Sequence, residues 1–149
     1  MGIFSFFKSK RKHSELEIME KGMAGIQAYN CSDFVKAKKY FKEYFSMKGT
    51  GIFPNLDASD YQMLFNLVFS EFYSKDYASC AATCAKLLEK FPKNGNAYAF
   101  SALANNKLGN KSLANQQWEM AKRYGSELVV SGTDRWDTVD QVRMDGYNQ

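Results

Sequence analysis

Proline and histidine are scarce: the only prolines are Pro54 and Pro92, and the only histidine is His13. So little proline leaves long stretches open to helix, and few stretches alternate apolar with polar residues as half-buried strands do. An all-α chain is expected. The lone histidine and the three cysteines, Cys31, Cys80 and Cys84, include no C-x-x-C and do not supply a zinc ligand set. Three cysteines cannot all pair with one another, and 149 residues bury enough core to fold without cross-links, so a reducing, cytoplasmic setting is expected. No apolar run approaches the roughly 20 residues of a transmembrane helix. The start does not read as a secretory signal, because Ile3, Phe4, Phe6 and Phe7 precede the basic residues in too short a run. Phe6 also occupies the position where a myristoylation signal carries Ser or Thr.

Acidic residues are missing from the first 13 positions, where Lys8, Lys10, Arg11 and Lys12 stand. The whole chain carries 20 basic and 16 acidic residues, so its net charge of +4 belongs to this leader, and the rest is balanced. A nucleic-acid role loses its electrostatic footing. The leader, with three phenylalanines beside its charges, offers at most a weak peripheral contact with anionic lipid or an apolar strap over the first helices.

Beyond the leader, a helical domain is expected over residues 14–146. Ser14 and Glu17 form a capping-box pattern opening a helix to about Tyr29. Asn30, Cys31 and Ser32 make a turn, Asp33 caps, and Phe34, Ala37, Phe41, Tyr44 and Phe45 mark the face of a second helix, closing a hairpin over about 14–46. Gly49, Gly51, Pro54, Asn55 and Asp57 predict a loop over 48–59. Tyr61, Leu64, Phe65, Val68, Phe69, Phe72 and Tyr73 then mark a helix buried on two sides. After a turn at Ser74, Lys75 and Asp76 comes a helix through Tyr77, Cys80, Cys84 and Leu87, which Pro92 and Gly95 stop, so the second hairpin spans about 60–92. A third hairpin over 96–124 divides at Gly109 and Asn110, and residues 133–144, with Trp136, Val139 and Val142, predict a short amphipathic capping helix.

The chemistry-bearing residues have structural explanations. Cys80 and Cys84 share a helix face at i and i+4, yet that face is directed at the partner helix, and core packing accounts for them. Glu15 with Glu17 and Asp57 with Asp60 fall in caps and loops, where helix-dipole and turn roles suffice. No catalytic residue, cofactor or metal site is assigned, and an enzyme is not expected.

The three hairpins superpose in register. Gly25 with Ala37, Val68 with Cys80 and Ala102 with Ala114 are equally spaced pairs, followed one turn later by Phe41, Cys84 and Trp118, and then by Tyr44, Leu87 and Ala121. Cys80 and Ala114 lie one tetratricopeptide period apart, roughly 34 residues. Through Ala102, Gly109, Ala114, Trp118 and Ala121, and through Leu64, Leu67, Tyr77, Leu87 and Pro92, the chain resembles the tetratricopeptide-repeat family. Val68 stands where that family has a small residue, the cysteines where it has alanine and an aromatic, and the first hairpin lacks a closing proline. The resemblance implies a solenoid of about three stacked antiparallel hairpins with a concave groove lined by each hairpin's first helix.

On that register the groove would hold Met19, Ile26 and Tyr29, then Phe65, Phe69, Phe72 and Tyr73, then Ala99, Leu103, Asn106 and Lys107. Tyr29, Phe65, Phe69, Phe72, Tyr73, Asn106 and Lys107 are the candidate partner-binding residues, since an aromatic patch with polar edges suits a protein partner. The expected function is a protein-binding module. The alternative is a bacterial immunity or inhibitor protein that occludes a toxin or other effector.

Overall fold

The computed structural model describes residues 13–49 and 58–126. The leader through residue 12, the middle of the expected loop and the expected capping helix lie outside the described residues. Among the described residues the secondary structure is six α-helices and no strand: α1 Glu15–Asn30, α2 Phe34–Lys48, α3 Ala58–Tyr73, α4 Tyr77–Lys90, α5 Gly95–Lys107 and α6 Lys111–Tyr124. None is long and apolar enough to cross a membrane. Met1–Leu67 and Val68–Gln149 form two compact units, the division falling inside α3.

Short polar side chains start the helices by accepting from backbone N–H groups that have no intrahelical acceptor. Ser14 Oγ accepts from Glu17 N at 3.1 Å, Asp33 from Lys36 N at 3.2 Å, Asp76 from Ser79 N at 3.4 Å and Asn94 from Ala97 N at 3.0 Å. The carboxylate of Glu17 lies 3.3 Å from Nδ1 of His13.

One turn recurs at the ends of α1, α3 and α5. Ser32, Lys75 and Gly109 have positive φ of 59°, 65° and 86°. Their own N–H groups donate to Tyr29, Phe72 and Asn106 carbonyls at 2.9, 3.0 and 3.0 Å, and the next residues, Asp33, Asp76 and Asn110, donate to Ala28, Glu71 and Asn105 carbonyls at 2.9, 2.8 and 2.8 Å. This pair of bonds satisfies the last carbonyls of each helix and reverses the chain in two residues. Left-handed backbone costs a non-glycine residue about 1 kcal/mol, so only Gly109 adopts it without strain.

In the first unit α1 packs on α2. Gly22, Gly25 and Ala28 are the buried residues of α1, and Ala37, Phe41, Tyr44 and Phe45 those of α2. A Cβ on Gly25 would sit 2.8 Å from the Phe41 ring, and one on Gly22 would sit 3.1 Å from the Tyr44 ring. The absent side chains are the space these aromatics fill.

In the second unit α5 packs on both α4 and α6, and every residue of α5 from Ala99 to Asn105 is buried. Cys80, Cys84 and Leu87 of α4 and Ala114, Trp118 and Ala121 of α6 are buried with it. Asn105 Nδ2 donates to Gln117 Oε1 at 2.9 Å, tying α5 to α6.

Gly95 differs from its sequence expectation. It does not stop α4 but opens α5 after the Asn94 cap, and it is buried. A Cβ there would lie 1.9 Å from the carbonyl oxygen of Gly125, so the backbone after α6 passes directly over this position. Ser126 Oγ and Asn96 Oδ1, 2.7 Å apart, close the same junction. Gly95→Ala is expected to lower unfolding stability by about 2 kcal/mol through this overpacking, against a helix-propensity gain of about 1 kcal/mol. Urea denaturation checks it, and a midpoint at or above that of the parent would refute the close approach.

Candidate functional site

The candidate residues divide between the two units. In the first, Tyr29 is half-buried with its ring 5.9 Å from Phe34, edge to face. Phe65 is half-buried with Tyr61 at 5.0 Å. In the second, Phe69, Phe72 and Tyr73 meet in one aromatic cluster with Tyr77 and Phe100. The Phe69 ring is 4.2 Å from Tyr73 and 5.9 Å from Phe100, and the Phe72 ring is 5.1 Å from Tyr73, 5.4 Å from Tyr77 and 6.1 Å from Phe100.

This cluster corrects the groove assignment for two of its aromatics. Phe69 and Phe72 are only 5% and 3% exposed, because Phe100 of α5 packs against both. Ala99 and Leu103, read as groove residues, are buried as well. Tyr73 is half-buried, Asn106 half-buried and Lys107 exposed, so these three keep surface in the second unit. Asn106 follows Asn105, whose side-chain oxygen accepts from Asn110 Nδ2 at 3.3 Å, so the end of α5 is held by a polar network.

The cysteine pair is core, as its helix face implied. Both thiols are fully buried. The hydrogen bond that the Cys80 thiol makes to Cys84, then burial, then the charges of Cys84, Glu71 and Asp76 push that thiol well above its ordinary value. That is the opposite of the electropositive setting that creates a thiolate nucleophile or ligand. Among the described residues no three His, Cys, Asp or Glu side chains group as metal ligands.

A polar constellation that sequence reasoning missed lies where α2 meets the start of α3. Asp60, read as a loop or cap carboxylate, is fully buried. The Tyr44 hydroxyl donates to its Oδ1 at 2.6 Å, and the Lys48 ammonium donates to Oδ2. Its partners are distant in sequence, across residues 49–57, and only the tyrosine in an otherwise apolar α2 face hinted at a polar acceptor. Burial, followed by the bond to Asp60, raises the Tyr44 hydroxyl above its ordinary value. For Lys48 burial presses the other way, but the hydrogen bonds to Asp60 and Tyr44 outweigh it and the net shift is upward.

No family model, no curated protein and no solved structure matches the chain. Its functional reading therefore rests on its own residues.

Both shifted groups bind their protons more tightly when folded. Their contribution is complete below the ordinary tyrosine and lysine values of 10.0 and 10.5 and is lost as pH rises through the higher folded values. Stability should thus fall in alkali above about pH 10. Tyr44→Phe should lower stability at neutral pH by about 1–3 kcal/mol, because Asp60 loses a buried donor, and should make the alkaline fall shallower. Urea melts of both proteins at pH 7 and across pH 9–11 test this; an unchanged alkaline slope would contradict it.

Proposed function

We propose that the chain is a protein-binding module of tetratricopeptide-like helical hairpins, and that the first helix of each hairpin supplies the binding side chains. The observation that carries this reading is Tyr73. Its ring is half-exposed yet rests on two buried rings, Phe69 at 4.2 Å and Phe72 at 5.1 Å. An aromatic held in one orientation before binding loses little freedom when a partner covers it, and such side chains are common energetic anchors. Asn106 and Lys107 at the end of α5 add polar and cationic groups in the same unit. Tyr29 and Phe65, each half-exposed beside another ring, occupy the corresponding role in the first unit.

The repeated turn after α1, α3 and α5 supports the tetratricopeptide-like part of the reading, since Lys75 and Gly109 stand one repeat period apart. Small residues at helix contacts support it too: Gly25 against Phe41 in the first hairpin, and buried Ala102 and Ala114 in the third. The three cysteines carry no disulfide, which suits the cytoplasmic setting we assign.

The test begins with a partner identified by affinity purification from the native host and mass spectrometry. Tyr73→Ala should then weaken the complex by about 2 kcal/mol, roughly thirtyfold, while the melting temperature falls by only a few degrees. Phe69→Ala should instead destabilise the fold by about 3–5 kcal/mol. Unchanged affinity in Tyr73→Ala, measured by calorimetry, would remove the anchor from this reading.

A further inference from the structure

Three large apolar side chains stand in a row on the outer face of α1: Leu16, Met19 and Met23, at 58%, 53% and 60% exposure. Spacings of three and four residues place them one above another on successive turns, opposite the buried Gly22, Gly25 and Ala28. Single exposed apolar residues need no explanation, but a contiguous ridge marks an interaction surface. Methionine side chains are flexible and polarizable and adapt to varied apolar partners.

The charges that α1 carries are mainly acidic. Glu15, Glu17 and Glu20 lie in the first two turns of α1, and its only basic residue, Lys21, is held by Glu43 at 2.7 Å. Glu17 faces His13, whereas Glu15 and Glu20 form no ion pair with another described residue. The helix dipole accounts for an acid in the first turn such as Glu15; Glu20, one turn beyond Leu16, lies outside its reach. Glu17 and Glu20 also line a cleft of ≈ 690 Å³ between α1 and α2, whose other charged or titratable walls are Glu43, Lys21, Lys42 and His13, so the acidic excess lies on the α1 surface rather than inside the cleft.

We propose that this face docks a basic amphipathic segment of a protein partner, whose apolar residues cover Leu16, Met19 and Met23 while its lysines or arginines lie beside Glu15 and Glu20. The inference rests on the protein-binding reading and specifies the partner's chemistry. Anionic lipid and nucleic acid are repelled by the same acids. A second copy of the chain, paired about the centre of the ridge, would set Glu20 against its own counterpart with no free base on α1 to offset it.

The probe is a fluorescent synthetic peptide with leucines at i, i+3, i+4 and i+7 and flanking lysines, compared with a twin carrying glutamate for every lysine. Anisotropy titration of the full chain should show the lysine peptide binding at least about tenfold tighter than its twin. Replacing Met19 and Met23 together by serine should weaken it about tenfold, and Glu20→Lys about threefold. Melting temperatures should not move, since all three side chains are exposed. Equal binding of the twins, or binding indifferent to Met19 and Met23, overturns the proposal.

Two further outcomes also overturn it. One is a probe that binds only after Phe4, Phe6 and Phe7 are replaced by serine in the full chain, which assigns the face to the chain's own basic leader. The other is a concentration-dependent dimer abolished by the methionine substitutions, which assigns it to a second copy. Tyr73→Ala run alongside separates the two readings. Loss of the native partner in that variant, with no probe binding to the parent, sinks only this proposal; probe binding with a native partner indifferent to Tyr73 sinks only the groove.

Discussion

Close backbone approach at positions without side chains is the constraint on which the described structure depends. Gly22 leaves the space that the Tyr44 ring occupies, and that ring carries the hydroxyl that reaches the buried carboxylate of Asp60. A methyl group at Gly22 would press on the ring and, through it, on the bond that anchors the start of α3 to α2. In the second unit Gly95 plays the equivalent part, since the backbone at Gly125 can cross the start of α5 only where no Cβ stands. Protein interiors are packed too densely to absorb such an atom without a shift elsewhere.

The same constraint shapes the available surface. Where helices approach closely, their interiors are filled by residues such as Phe41, Trp118 and Phe100, and the next ring outward is left half-covered. Tyr73 is that outer ring, fixed by Phe69 and Phe72 beneath it. On α1 the buried residues, Gly22, Gly25 and Ala28, are all small, while the larger Leu16, Met19 and Met23 are left facing out. Surface chemistry and core packing are thus two sides of the same helices.

Much of this was legible in sequence. Helices and turns were, because a 3.6-residue apolar period and short runs of Asn, Ser, Asp and Gly are local signals. The face directions of Phe69 and Phe72 were not: a helix apolar around most of its circumference shows that it is buried, but not which aromatics another helix will cover. Gly95 was misread because a glycine between helices looks the same whether it breaks one or admits a distant backbone. Asp60 was misread because a carboxylate near a helix start has a local explanation, while Tyr44 and Lys48 lie 16 and 12 residues away in sequence. The α1 ridge was only partly read: Met19 was placed on a binding face, but periodicity did not show that Leu16 and Met23 would stay exposed with it.

The central claim is that the first helices, α1, α3 and α5, do the binding while α2, α4 and α6 brace them. Hydrogen exchange followed by mass spectrometry, on the full chain alone and with its purified partner, compares the two sets directly. The account predicts slowed exchange concentrated in the exposed turns of α1 and at the C-terminal ends of α3 and α5, around Tyr73, Asn106 and Lys107. Slowing confined to α2, α4 and α6, with the first helices unchanged, would contradict it.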